Sequence, residues 1–233
     1  MRTKYFLLIL GMLTFIASQG QSNHNFIING KIKGYTGNIK LYKLKENNHE
    51  ILIANSAVSK EGKFSFQVKD TNESCYYISF PNFPNVDNII FINDGPLITV
   101  EMDWQGIQSI IKKYMDAGEK GRKVNVNADG KNFYTIKGSK ATNELMNIGQ
   151  FMSKQLKLEE GNRMTTLDFK KQVLMYYNNT SSPLVQGVII TLLSSFRAFT
   201  LAERKDLLEK SLVKYPHNPY LEDLKKKEGL YQH

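Results

Sequence analysis

Cysteine is almost missing from this sequence: Cys75 is the only one among 233 residues. No disulfide can form within the chain and no dithiol pair can cycle through it, so the fold must rest on its hydrophobic core. Histidine is scarce as well, and His24, His49, His217 and His233 lack the i, i+3 or i, i+4 spacing that a metal site uses. There is no Gly-x-Ser-x-Gly elbow, no Gly-x-x-x-x-Gly-Lys phosphate loop and no Gly-x-Gly-x-x-Gly turn. The common hydrolase and nucleotide chemistries thus lack their usual carriers, and neither a metal nor a cofactor is expected. Beyond Ile16 no long apolar run occurs, which leaves no stretch of the roughly 20 residues that a membrane-spanning helix needs.

What is present begins with an export pattern. Arg2 and Lys4 supply a positive start, Tyr5 to Ile16 an apolar middle, and Ser18 and Gly20 the small residues that signal peptidase checks. Residues 1–20 are therefore expected to be a cleaved signal peptide, with Gln21 as the mature start. No cysteine sits beside the cut, so a lipoprotein is not expected, and the mature chain belongs in the periplasm or cell envelope. Lysine and arginine outnumber acidic residues 31 to 22, for a net charge of +9. Two of those charges leave with the signal and the others are scattered, whereas a nucleic-acid footprint gathers them on one face. No nucleic-acid partner is expected.

The expected fold class is α+β, an N-terminal antiparallel β-sandwich or barrel-like domain followed by a helical layer. Between Asn25 and Asp103 the sequence runs in period two: Phe26, Ile28 and Ile32 oppose Lys31 and Lys33, and Phe64, Phe66 and Val68 alternate with Lys63, Ser65, Gln67 and Lys69. Further strands are expected at 38–45, 51–58, 75–80, 88–92 and 97–102. Turn residues separate them, at Gly34 and Gly37, Glu46 to Asn48, Lys60 to Gly62, Pro81 to Pro84 and Asn93 to Pro96. Residues 104–132 read as an insertion, with a short helix over Ile107 to Met115 and a hairpin joining 124–127 to 133–136 through Asp129-Gly130. The sandwich domain is accordingly drawn over 25–137 and the helical domain over 138–233.

From Ser139 the apolar spacing becomes helical, predicting helices near 140–158, 166–178, 183–196, 201–214 and 219–228. Thr165, Ser182, Thr200 and Asn218 each stand where an N-cap accepts a hydrogen bond from a free amide, and Pro183 and Pro219 fill first-turn positions that need no N–H. The segment Pro183 to Leu193 is apolar nearly all round, which marks the buried centre of the group.

Few constellations carry chemistry. Cys75, at the start of a strand beside Tyr76 and Tyr77, is either a reactive thiol able to form a mixed disulfide or a half-buried strand residue; no basic neighbour in sequence lowers its pKa. Glu101 with Asp103 falls on the wet face of a strand, and Glu159 with Glu160 in a helix-ending turn, so both pairs read as solvated carboxylates. The aromatics Tyr76, Tyr77, Phe80, Phe83, Phe91, Trp104, Tyr176 and Tyr177 suit either core packing or a ligand groove. No catalytic residue emerges, and the chain is not expected to be an enzyme.

The strings Phe26 to Gly34, Ile39 to Tyr42 and Ser56 to Phe66, with Tyr77 to Phe80, Phe91 to Asp94 and Leu97 to Val100, resemble a known module. It is the β-rich domain of unknown function found at the front of envelope thiol-disulfide interchange proteins of the TlpA/ResA type in Bacteroides-like bacteria. Ile136 to Glu144 resembles the beginning of its helical connector and Leu212 to Tyr220 the end. In that family a thioredoxin-like domain with a Cys-x-x-Cys pair follows, and this sequence reaches His233 without it. The resemblance thus implies a non-enzymatic binding or scaffold protein whose partner is an envelope protein such as a thioredoxin-like reductase. The alternatives are the front part of a split or truncated oxidoreductase, or a small-ligand carrier.

Overall fold

The structure, a computed structural model, describes residues 24–230 apart from 46–48, 71, 120, 125, 127–132, 158–163 and 195–197. The signal segment, the turns at 46–48 and 129–130, the pair Glu159-Glu160 and His233 lie outside the described residues. Strands β1 (His24–Lys33), β4 (Lys63–Asp70), β7 (Leu97–Asp103) and β8 (Tyr134–Lys137) make one sheet in the order β4-β1-β7-β8. Strands β2 (Gly37–Leu44), β3 (Glu50–Val58), β5 (Cys75–Ser79) and β6 (Ile89–Ile92) make the second, in the order β3-β2-β5-β6. Their inner faces share one core, in which Phe26 of β1 meets Tyr76 of β5 edge to face at 5.2 Å. Two packed sheets make a sandwich, not a barrel.

The alternation read in the sequence selects these faces. In β4, Phe64, Phe66 and Val68 are buried while Lys63, Ser65, Gln67 and Lys69 are exposed. Gly30 lies opposite Phe64, whose ring covers the glycine so closely that a Cβ there would sit 2.0 Å from it. Any larger residue there would have to displace that ring.

One expectation is corrected. Six of the eight strands pair antiparallel throughout, but β1 and β7 run parallel to each other, Ile27 opposite Leu97 through Lys33 opposite Asp103. The chain between them passes through the other sheet, so no tight turn dictates their relative direction. The turn expected to join 124–127 to 133–136 lies outside the described residues; of its two arms, the Phe133 amide donates to the Val126 carbonyl at 3.1 Å. Tyr134 and Ile136 extend the first sheet antiparallel to β7, where they join the core beside Met102 and Val100, and Val124 makes a parallel bridge with Val86.

Helix α1 (Trp104–Asp116) follows β7 directly, and Asp103 caps it by accepting from the Gly106 amide at 3.1 Å. Trp104 is 1% exposed and anchors an aromatic cluster with Tyr35 at 4.7 Å, Phe83 at 4.8 Å and Phe80 at 5.3 Å. The start of the 104–132 stretch is therefore part of the sandwich core.

Helices α2 (Lys140–Lys157), α3 (Thr166–Asn179), α4 (Pro183–Leu193), α5 (Leu201–Lys214) and α6 (Pro219–Leu230) build a second core. As expected from its apolar surface, α4 lies at the centre, touching α2, α3, α5 and α6. Its one buried amide, Gln186, is satisfied: it donates to the Tyr177 carbonyl at 3.2 Å and accepts from Ser211 at 2.9 Å. Gly187 lets the Tyr220 ring of α6 approach, since a Cβ there would meet the ring at 2.4 Å. Ile92 of β6 belongs to this helical core and Cys75 packs against it, so the layer covers one end of the outer face of the second sheet. No described helix is long and apolar enough to cross a membrane.

Candidate functional site

Sheet and helices are joined by a polar seam. Glu73, just before β5, accepts hydrogen bonds from the Ser182 hydroxyl and from the Leu184 amide at 3.3 Å, and so serves the first turn of α4. Asp94, just after β6, accepts from the Ala141 amide at 2.7 Å and serves the first turn of α2. Thr142 accepts from the Ile92 amide at 2.8 Å, and Glu144 from the Thr180 hydroxyl at 2.5 Å. Burial pushes the Glu73 carboxyl above its usual range, with Asp94 and Glu144 adding to the rise and the Ser182 and Leu184 bonds opposing it. These carboxylates fill amide positions at helix starts, so their chemistry is structural.

Beside the seam an open groove of about 440 Å³ runs between β6 and the first turns of α2. Ile90, Val126, Leu145 and Met146 give it apolar walls, and Tyr134 and Thr142 line it further in. At its mouth Lys123 pairs with Asp87 at 2.9 Å. Apolar walls with a few polar groups are the usual make-up of a site that holds a ligand or a partner's side chain.

The residues singled out in the sequence do not converge on this groove. Cys75 opens β5 facing the helical core, where burial pushes its thiol up to about 12. The thiolate that attacks a disulfide is therefore scarce at neutral pH. His49 and His217 are both exposed, the latter 3.7 Å from Glu222. Among the described residues no group of three or more His, Cys, Asp or Glu is placed to hold a metal ion. Glu101 is exposed and Asp103 serves as the cap of α1.

The aromatics divide between packing sites. Tyr76, Phe80, Phe91 and Trp104 fill the sandwich core, with Phe83 against it. Tyr177 is buried in the helical core and donates to the Leu207 carbonyl at 2.6 Å, while Tyr77 stacks on Tyr42 at 5.0 Å on the outer sheet face. Sequence reasoning missed Glu73, Asp94, Thr142 and the groove. Glu73 and Ser182 are 109 positions apart, and nothing local announces that they meet.

The sequence profile of a domain of unknown function, DUF4369, matches residues 26–145. The chain belongs to that family. The matched DUF4369 region takes in the sandwich from Phe26 onward, α1, β8 and the start of α2, and it includes every groove residue from Asp87 to Leu145. No curated protein and no solved structure matches the chain.

Proposed function

We propose that the chain is an exported, non-enzymatic binding module of the cell envelope, related to the accessory region that precedes the thioredoxin-like domain in thiol-disulfide interchange proteins. The groove between β6 and α2 carries this reading, because it is concave, apolar-walled and held between two rigid elements. The seam supports it by fixing α2 against β6 through the Thr142 and Asp94 hydrogen bonds, which sets the groove's width before anything binds. The raised thiol of Cys75 supports a role for the chain without redox chemistry of its own.

Cross-linking the mature protein in its native envelope and identifying what is captured tests the proposal. A defined partner that is lost when the groove mouth is blocked by Asn88→Trp is the expected result. Insulin reductase activity from residues 21–233 alone would overturn it. Recovery of a thioredoxin-like protein as the partner would favour the split oxidoreductase instead.

A further inference from the structure

Among the described residues the outer edge of the segment from Asn85 to Ile92, which includes β6, is hydrogen-bonded at both ends and open between them. On one side Val124 bridges Val86 in parallel: its amide donates to the Asn85 carbonyl at 2.7 Å and its carbonyl accepts from the Asp87 amide at 3.0 Å. On the other side the Ile92 amide donates to Thr142 at 2.8 Å. That last bond fixes the direction of Ile90. Backbone groups of a strand alternate sides, so if the Ile92 amide points away from β5, the amide and carbonyl of Ile90, two residues earlier, point the same way.

They point towards the groove, where Ile90 is 45% exposed, and no hydrogen bond reaches its outward backbone groups among the described residues. The chain thus shows its own way of completing this edge on one side, backbone pairing at Val124, and among the described residues no pairing reaches Ile90. A free strand edge is a template for another extended chain.

The groove also states the chemistry of what completes it. Leu145 and Met146 face the edge and suit an apolar side chain. At the mouth Asp87 and Lys123 neutralise each other, so no unpaired charge there calls for a charged ligand.

We propose that the groove beside β6 receives an extended, uncharged segment of a partner polypeptide by strand addition. The Ile90 amide and carbonyl pair with its backbone, and one apolar side chain lodges against Leu145 and Met146. This rests on the reading of the chain as a binding module and names the chemistry of the partner.

The test uses the mature chain, residues 21–233, with a capped heptapeptide alternating threonine and valine about a central leucine. Titration followed by NMR should show saturable binding, and hydrogen exchange at the Ile90 amide should slow by about tenfold or more at saturation. Methylating the peptide nitrogens on the face that meets β6 should weaken binding by about tenfold or more, and methylating those on the other face should not.

Ile90→Pro removes the outward amide while leaving the ladder to β5 its bonds, so it should abolish binding in a protein that retains its circular dichroism. Asn88→Trp, which blocks the mouth without touching the strand, should do the same. Absence of binding by the folded chain overturns strand addition. Binding that survives both the methylated peptide and Ile90→Pro overturns it too, in favour of an apolar pocket for small molecules. If a defined envelope partner is still captured in either case, strand addition falls while the binding-module reading stands.

Discussion

The sandwich and the helical layer meet the same requirement, that buried backbone groups be hydrogen-bonded, over different distances along the chain. In the sandwich the partners are remote: Ile28 pairs with Phe66 on one side and with Ile98 on the other. In the helical layer the ends are closed locally, as at α5, where Thr200 and Glu203 cap each other's amides in a reciprocal box. The cores differ in the same sense. Interlocking aromatics around Trp104 tie α1 to the sheets, whereas aliphatic side chains such as Val185, Ile189 and Ile190 centre the helices. A region closed by long-range pairing resists local damage poorly, because each core residue holds several distant segments at once. Helices capped by their own sequence tolerate the loss of one cap but depend on the seam for their position.

The hardest blow to that comparison is Trp104→Ala. It should cost about 3–5 kcal/mol by urea unfolding followed by circular dichroism, since the cavity would open among Tyr35, Phe80 and Phe83. A cost below about 1 kcal/mol would mean that the sandwich core is not held through this cluster.

Next comes a contrast in pH dependence between two carboxylates three residues apart. Burial would raise Asp70, but hydrogen bonds from Lys43 at 2.6 Å and from Tyr76 outweigh it and hold the carboxyl below its usual range. Its contribution is in place above the unfolded pKa and is lost as pH falls through the lowered folded value. Glu73 is raised, so its contribution is full below the unfolded pKa of about 4.3 and is lost as pH rises through the folded value. Acid should therefore weaken the sandwich at Asp70 and strengthen the seam at Glu73. In unfolding free energies measured across about pH 3 to 7, the loss of stability in acid should be smaller in Asp70→Asn, and the decline with rising pH should be smaller in Glu73→Gln. Equal effects of both variants on the same limb would break the contrast.

A smaller effect is expected from Thr200→Ala, about 1 kcal/mol, because α5 keeps its packing when its cap is lost. Amide exchange should quicken in the first turn of α5 and leave β1 unchanged. The smallest is Cys75→Ser, at most about 1 kcal/mol, with fold and partner capture intact. Thiol titration of the native protein near neutral pH should run far more slowly than that of the unfolded chain, and fast native labelling would reopen a redox role.

Much of this architecture is legible in the sequence, for a reason visible at particular residues. The caps at Thr165, Ser182, Thr200 and Asn218 all accept from the amide three positions on, as expected. Such bonds span one helical turn, so their partners are adjacent in the sequence. The faces of β4 follow from alternation alone. Asp103 is exposed at the end of β7, as the alternation expects, and its further role as the cap of α1 was readable by the same rule.

The groove was not legible. Its walls come from β6, from Val126 and from α2, and no window of sequence contains all three.

By itself, the sequence determined which faces are buried and where the helices from α2 onward begin, because both depend on side chains within a few residues of one another. The parallel pairing of β1 with β7, the placing of β8 at a sheet edge, the seam from Glu73 to Ser182 and the open edge at Ile90 were decided only by the tertiary structure. Each requires two segments far apart in the chain to arrive side by side. That outcome belongs to the competition for burial among all segments together.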